Sequence, residues 1–141
     1  MELKKPENQT ELQTLLNYIL KMIGDKRKMK VKISSRLKKY NGLAHTPDYI
    51  RHGRRKITIS KLYFGYSELN KLINTLIHEI AHFKFSRTQK LRKLWLKHKY
   101  GKYAYDSETK KQIRKHHHTK RFKQLVKRLE ARFWNNHKRN S

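Results

Sequence analysis

Residues 78–82 read His-Glu-Ile-Ala-His, and the chemistry open to them follows from their spacing. Side chains four apart on an α-helix leave the same face with origins about 6 Å apart, so the imidazoles of His78 and His82 can share one divalent cation. The chain has no cysteine. Its strong metal ligands are therefore His, Asp and Glu, and disulfides, thiolate metal sites and thiol nucleophiles are excluded. Zn2+ suits paired imidazoles, and a catalytic zinc takes three protein ligands and keeps one position open. Glu79 lies on the flank of the pair, where a carboxylate can take a proton from a water activated by the metal and hand it to a leaving amine. That division of roles belongs to zinc-dependent peptide hydrolysis. Chance placement of residues in this composition gives roughly 0.03 such pentapeptides per chain, so the motif is informative but needs a context.

The context is an amphipathic helix. It is expected to start after Ser67, which can cap it, and to run to about Phe85, with Leu69, Leu72, Ile73, Leu76, Ile80 and Phe83 in one stripe. At about 100° per residue, His78 and His82 fall at about 180° and 220° from Leu69, on the face opposite the core. The elements around it can be read in the same way. Leu12, Leu15, Leu16, Ile19, Leu20 and Ile23 keep helical spacing between Thr10, expected as the N-cap, and Gly24, expected as the terminator. Met29, Val31 and Ile33 alternate with polar residues, as do Ile57 and Ile59, which predicts two strands. The loop between them, Tyr40 to Arg55, holds Gly42, Pro47 and Gly53 and has room for a third short strand near Gly42. Beyond the motif, Leu91, Leu94 and Trp95 suggest a further short helix, and Phe122, Leu125, Val126, Leu129 and Phe133 predict a final one. The expected fold is α+β: an N-terminal helix, a short antiparallel sheet, the motif helix and a C-terminal helix, in a single domain over residues 1–141.

A third metal ligand must come from outside the motif helix. The metzincin extension is missing, because Phe85 stands where that pattern needs glycine. The candidates are His98, the run His116, His117 and His118, and the carboxylates Asp106, Glu108 and Glu130.

Charge is the other strong signal. The chain carries 37 Lys and Arg against 10 Asp and Glu, a formal charge of +27, where solubility needs only a single-digit excess. A polyanionic partner is expected. Nucleic acid comes first, because Lys and Arg gain affinity for phosphates through counterion release, and an anionic membrane surface comes second. Tyr100, Tyr103 and Tyr105 stand among Lys97, Lys99 and Lys102, a mixture that stacks on unpaired bases and favours single-stranded DNA. No apolar run approaches the roughly 20 residues that span a bilayer, and Met1 to Glu11 lack the apolar region of a secretory signal. A monomer that is cytoplasmic or nucleoid-associated, and not secreted, is expected.

From about Met29 to Phe133 the chain resembles the SprT-like zinc metallopeptidases, the family that includes Spartan and is related to the WLM proteases. The resemblance rests on the strand Lys56 to Ser60, on Leu-Ile-Asn-Thr-Leu-Ile-His-Glu-Ile-Ala-His from Leu72 to His82, and on His118-Thr119-Lys120-Arg121-Phe122. It implies a small zincin-like domain with an insertion at about 86–117. It further implies His78, His82 and His118 as zinc ligands, Glu79 as general acid and base, and Phe122 as the anchor of the last helix. The function so implied is zinc-dependent endoproteolysis, and the basic charge directs it to nucleic-acid-associated or DNA-crosslinked protein substrates. Two other readings compete: a nucleic-acid-binding protein with a structural or vestigial zinc site, and a minimal gluzincin-like peptidase liganded by Glu130 or Glu108.

Overall fold

A computed structural model describes residues 2–45, 52–100 and 120–140, with the backbone alone for residues 86–100. Helix α1 (Gln9–Ile23) buries Leu12, Leu15, Leu16, Ile19 and Ile23, the stripe its periodicity requires. Its N-cap is Asn8, not Thr10: the Asn8 carboxamide accepts from the Glu11 N–H at 2.9 Å, while the Glu11 carboxylate accepts from the Glu7 N–H at 2.8 Å. Asn is at least as good a cap as Thr, and this reciprocal pair needs the cap three residues before Glu11. At the other end Gly24 adopts φ 75°, and the Asp25 N–H reaches back to the Leu20 carbonyl at 2.9 Å. A left-handed residue of that kind is what glycine supplies without strain.

Three strands follow, β1 (Lys30–Ser34), β2 (Gly42–Ala44) and β3 (Lys56–Ser60), in the order β1-β3-β2. The sheet is mixed, not antiparallel: β1 and β3 run parallel in register Val31 to Ile57, and only β2 opposes β3. The sequence between β1 and β3 allows this, since a parallel pair needs a crossover of a dozen or more residues and residues 35–55 provide one. Strand β3 is central, with Ile57, Thr58, Ile59 and Ser60 all buried. The free edge of β1 is closed by side chains from α1. Gln13 accepts from the Val31 N–H and donates to the Met29 carbonyl, both at 2.9 Å, and Gln9 accepts from the Ile33 N–H at 3.2 Å.

Helix α2 (Lys61–Tyr66), capped by Ser60, was not expected. It displaces Ser67 from its expected role. The Ser67 N–H closes α2 on the Tyr63 carbonyl, its buried hydroxyl finds no hydrogen-bond partner among the described residues, and the motif helix opens instead with the Leu72 N–H on the Glu68 carbonyl. That helix, α3 (Leu69–Tyr100), is one continuous element of 32 residues. It does not end at Phe85, and no separate helix forms at Leu91. The segment from Ser86 to Tyr100 has neither Gly nor Pro and is rich in Lys, Leu and Arg, so nothing breaks it before Gly101. The expected insertion therefore begins as helix, and its remainder lies outside the described residues. Helix α4 (Lys120–Arg139) closes the fold, burying Phe122, Leu129 and Phe133.

One hydrophobic cluster joins α1, the sheet, α3 and α4. Along α1 the Tyr18 hydroxyl meets His137 Nδ1 at 2.6 Å and the Asn136 amide donates to the Met22 carbonyl at 2.6 Å, which ties α4 to α1, and α4 also packs along α3. No described helix is long and apolar enough to cross a membrane.

Candidate metal centre

Around the motif, α3 is buried on almost every side. Leu76, Ile77, Ile80, Ala81 and Phe83 are buried, and His78 and His82 are half-buried. The histidine face is thus not a solvated face, because α4 covers it. Phe122 stacks on His82 with ring centroids 4.5 Å apart and planes at 26°, and meets His78 edge-on at 5.0 Å. Phe85 packs edge-on against the same ring at 5.6 Å. These contacts restrict both imidazoles to a narrow range of orientations. Their own centroids lie 4.9 Å apart.

The ligand atoms of His78, Glu79 and His82 all fall within 4.8 Å of one another. Zinc–nitrogen bonds near 2.0–2.1 Å in a tetrahedron place two donors about 3.3 Å apart, so small side-chain rotations bring the imidazoles onto one ion. Among the described residues no other His, Asp or Glu joins this group.

Glu79 is only 5% exposed, and strand β2 accounts for much of that burial. The His45 N–H bonds the Lys56 carbonyl and the Ser60 N–H bonds the Asn41 carbonyl, both at 2.9 Å. Antiparallel alternation then turns residues 41, 43 and 45 toward β3 and the Ala44 N–H outward. That N–H donates to the Glu79 carboxylate. Burial pushes the carboxyl up from 4.5 to about 7, against the opposing pull of the Ala44 bond. The close approach of β2 depends on Gly42: a β-carbon there would lie 3.2 Å from Thr75 Cγ2 and 3.3 Å from Glu79 Cγ. One turn before the motif, the Tyr63 hydroxyl meets Thr75 Oγ1 at 2.7 Å and the Lys71 carbonyl at 3.1 Å, which fixes α3 against α2.

Of the residues singled out in the sequence, His78, Glu79 and His82 are brought together. His98 lies on α3, sixteen residues beyond His82 and so about 24 Å along the axis, which removes it from this site. Glu130 is two turns past Phe122 on α4, about 12 Å along its axis, and is not part of the donor group. Burial raises its carboxyl above the ordinary range while Lys127 draws it down. His116, His117, His118, Asp106, Glu108, Tyr103 and Tyr105 lie outside the described residues, as does the side chain of Tyr100. Two contributors were missed by sequence reasoning. Phe122 was read as a core anchor and is also the wall behind both imidazoles. The Ala44 N–H has no side-chain signature, although Gly42 beside it was a signal of close backbone approach. Compared with protein-family models, curated proteins and solved structures, the chain matches none.

Proposed function

We propose that this protein is a zinc-dependent endopeptidase of zincin-like, SprT-like type that acts on nucleic-acid-associated or DNA-crosslinked proteins. The observation that carries the reading is the group His78, Glu79 and His82, with its donor atoms within 4.8 Å and its glutamate buried. The donor chemistry fits zinc, since two neutral imidazoles on one helix face are borderline ligands of the type this ion prefers. His118 is the proposed third ligand. It precedes Phe122 by four residues, a step that spans at most about 14 Å, and Phe122 touches both histidines. When bound, zinc would polarise the scissile carbonyl and lower the pKa of water.

The chain's own residues do the rest. His78 and His82 would hold the ion, their rings oriented by Phe122. Glu79 holds and moves the proton: burial raises its carboxyl and so favours the protonated form, while a cation beside it would favour the carboxylate, opposing pulls that suit a group that takes a proton in one step and returns it in the next. The Ala44 N–H fixes the carboxylate while it does so. The competing reading, a nucleic-acid-binding protein with a structural zinc, needs a closed four-ligand site, where a catalytic zinc keeps one position open. The proposed setting is the cytoplasm or nucleoid, and the charge of +27 supplies the attraction to nucleic acid.

The deciding experiment is metal analysis together with cleavage of an unstructured protein. Wild type should hold about one zinc per chain and cleave. His78→Ala and His82→Ala should lose zinc, and Glu79→Gln should keep zinc without cleaving. Wild-type turnover by Glu79→Gln, or full zinc occupancy in either histidine variant, rejects the reading.

A further inference from the structure

Helix α4 contains eight Lys and Arg against one acid, Glu130. Their placement is regular. Lys-Arg pairs occur at 120–121, 127–128 and 138–139, and offsets of seven and eleven residues come close to two and three full helical turns. The pairs therefore form two rows about 100° apart, Lys120, Lys127 and Lys138 in one and Arg121, Arg128 and Arg139 in the other. All six residues are exposed. The Lys row lies opposite Phe122, Leu129 and Phe133, which are buried in the core, and the Arg row runs along the flank, about 100° from them. The rows extend about 27 Å along the axis.

The Arg row continues onto neighbouring elements. Arg132 lies over the end of α1, where a β-carbon on Gly24 would stand 2.8 Å from its Nη2. Lys84 of α3 has Arg27, Arg128 and Arg132 as charged neighbours, and burial together with these cations holds its ammonium below the ordinary lysine value despite Asp25. Asp25 itself is engaged by Arg27 through bonds of 3.0 and 3.1 Å. Asp25 thus faces Arg27 and Lys84, while Arg128 and Arg132 add their charge beside Lys84, and this edge has a surplus of positive charge that an anion would relieve.

We propose that the outer face of α4 is a docking surface for duplex DNA, its two basic rows resting on the two phosphate strands that flank the major groove. This rests on the nucleic-acid half of the proposed function and not on the peptidase half. Cationic heads about 8 Å from a helix axis and about 100° apart are separated by about 12 Å, the width of the B-form major groove. A single strand offers phosphates in one line and is held by stacking, and this face presents no exposed aromatic ring: Trp134 is half-buried against Phe133. An anionic membrane is disfavoured because surface-bound helices insert an apolar face, and that of α4 is already covered by the core. The tyrosines that pointed to single strands lie outside this helix.

The test is fluorescence anisotropy with the zinc-loaded full chain, a labelled duplex of about 20 base pairs and one of its single strands, over a range of salt. The face variant is Lys127→Gln/Arg128→Gln/Lys138→Gln/Arg139→Gln. A control removes the same charge from exposed sites elsewhere, Arg36→Gln/Lys38→Gln/Lys39→Gln/Lys61→Gln. Circular dichroism confirms that both fold. Each lost phosphate contact lowers the slope of log K against log salt by about 0.9 on duplex, so two lost contacts weaken binding about 60-fold at 0.1 M relative to 1 M salt. The expected result is such a loss in the face variant, a change within about 5-fold in the control, and tighter wild-type binding to duplex than to single strand. Equal losses in the two variants would show diffuse charge and overturn the proposal. So would tighter binding to the single strand, or a face variant impaired only on phosphatidylserine vesicles. Zinc content and cleavage of a DNA-free protein by the face variant report separately on the peptidase reading: docking stands if cleavage is absent, and proteolysis stands if docking fails.

Discussion

Glu79 is held in a conformation that disfavours its own charge, and the consequence can be measured without any substrate. In the metal-free protein the carboxyl is raised from 4.5 to about 7 by burial beneath β2. The folded state therefore binds more protons than the unfolded one between these values, so the group costs stability as pH rises from 4.5 to about 7 and by a constant amount above that. At about 1.4 kcal/mol per pH unit the cost amounts to about 3 kcal/mol above neutrality. In Glu79→Gln the amide oxygen still accepts from the Ala44 N–H, but its own N–H groups need partners, a loss of about 1 kcal/mol. The variant should then be more stable than wild type by about 2 kcal/mol at pH 8, and no more stable than wild type at pH 4.5. Urea unfolding in the presence of a chelator reads the difference, and subtracting wild type from variant at each pH cancels every other titrating group. Adding zinc should shrink the advantage, since a cation beside the carboxylate favours its charged form. A variant equal to or weaker than wild type at pH 8 without metal would show that the burial of Glu79 carries no such cost.

Other perturbations separate ligands from walls. His118→Ala should weaken zinc binding far more than His116→Ala, His117→Ala or Glu130→Ala, as read by competition with a chromogenic chelator; equal small effects would assign the third ligand elsewhere. Phe122→Ala, which empties a site 1% exposed, should cost about 3 to 5 kcal/mol in denaturant unfolding, with a smaller loss of zinc affinity than a ligand substitution. Gly42→Ala should push β2 off α3, costing about 1 to 3 kcal/mol as overpacking does; water then reaches Glu79, and the pH dependence described above should flatten. Asn8→Ala removes the cap of α1 and should cost about 1 kcal/mol of stability while leaving zinc content unchanged.

Much of the site could be read from the chain because its logic is local. The spacing of His78 and His82 and the apolar stripe of α3 follow from helical periodicity alone, and so do the stripes of α1 and α4. What escaped was set by distant residues or by backbone. Whether β1 pairs parallel or antiparallel depends on which side of β3 the chain passes through residues 35–55, which no alternation of side chains encodes. The end of α3 was misjudged because its apolar stripe fades after Phe85, while helix propensity persists to Gly101. Asn8 was passed over for Thr10 because both are capping types, and only the Glu11 partnership distinguishes them. The cover over the histidine face escaped because one helix seen alone cannot reveal that Phe122, forty residues later, lies against it.

The glutamine side chains along β1 have a consequence for how the molecule behaves among copies of itself. A primary amide presents an N–H and a C=O side by side as a peptide unit does, so Gln13, bonded to the Val31 N–H and the Met29 carbonyl, fills the place of a neighbouring strand, and its second N–H goes to Asn17. Gln9 extends the same seal to Ile33. Among the described strands this leaves β2 as the sheet's open edge, only three residues long and bordering Glu79. Sheets grow by recruiting strands at both margins, and a sheet stoppered along one margin cannot stack into a continuous ribbon. Crowded copies can then pair strands only through β2, and such a pair has no further described edge from which to propagate.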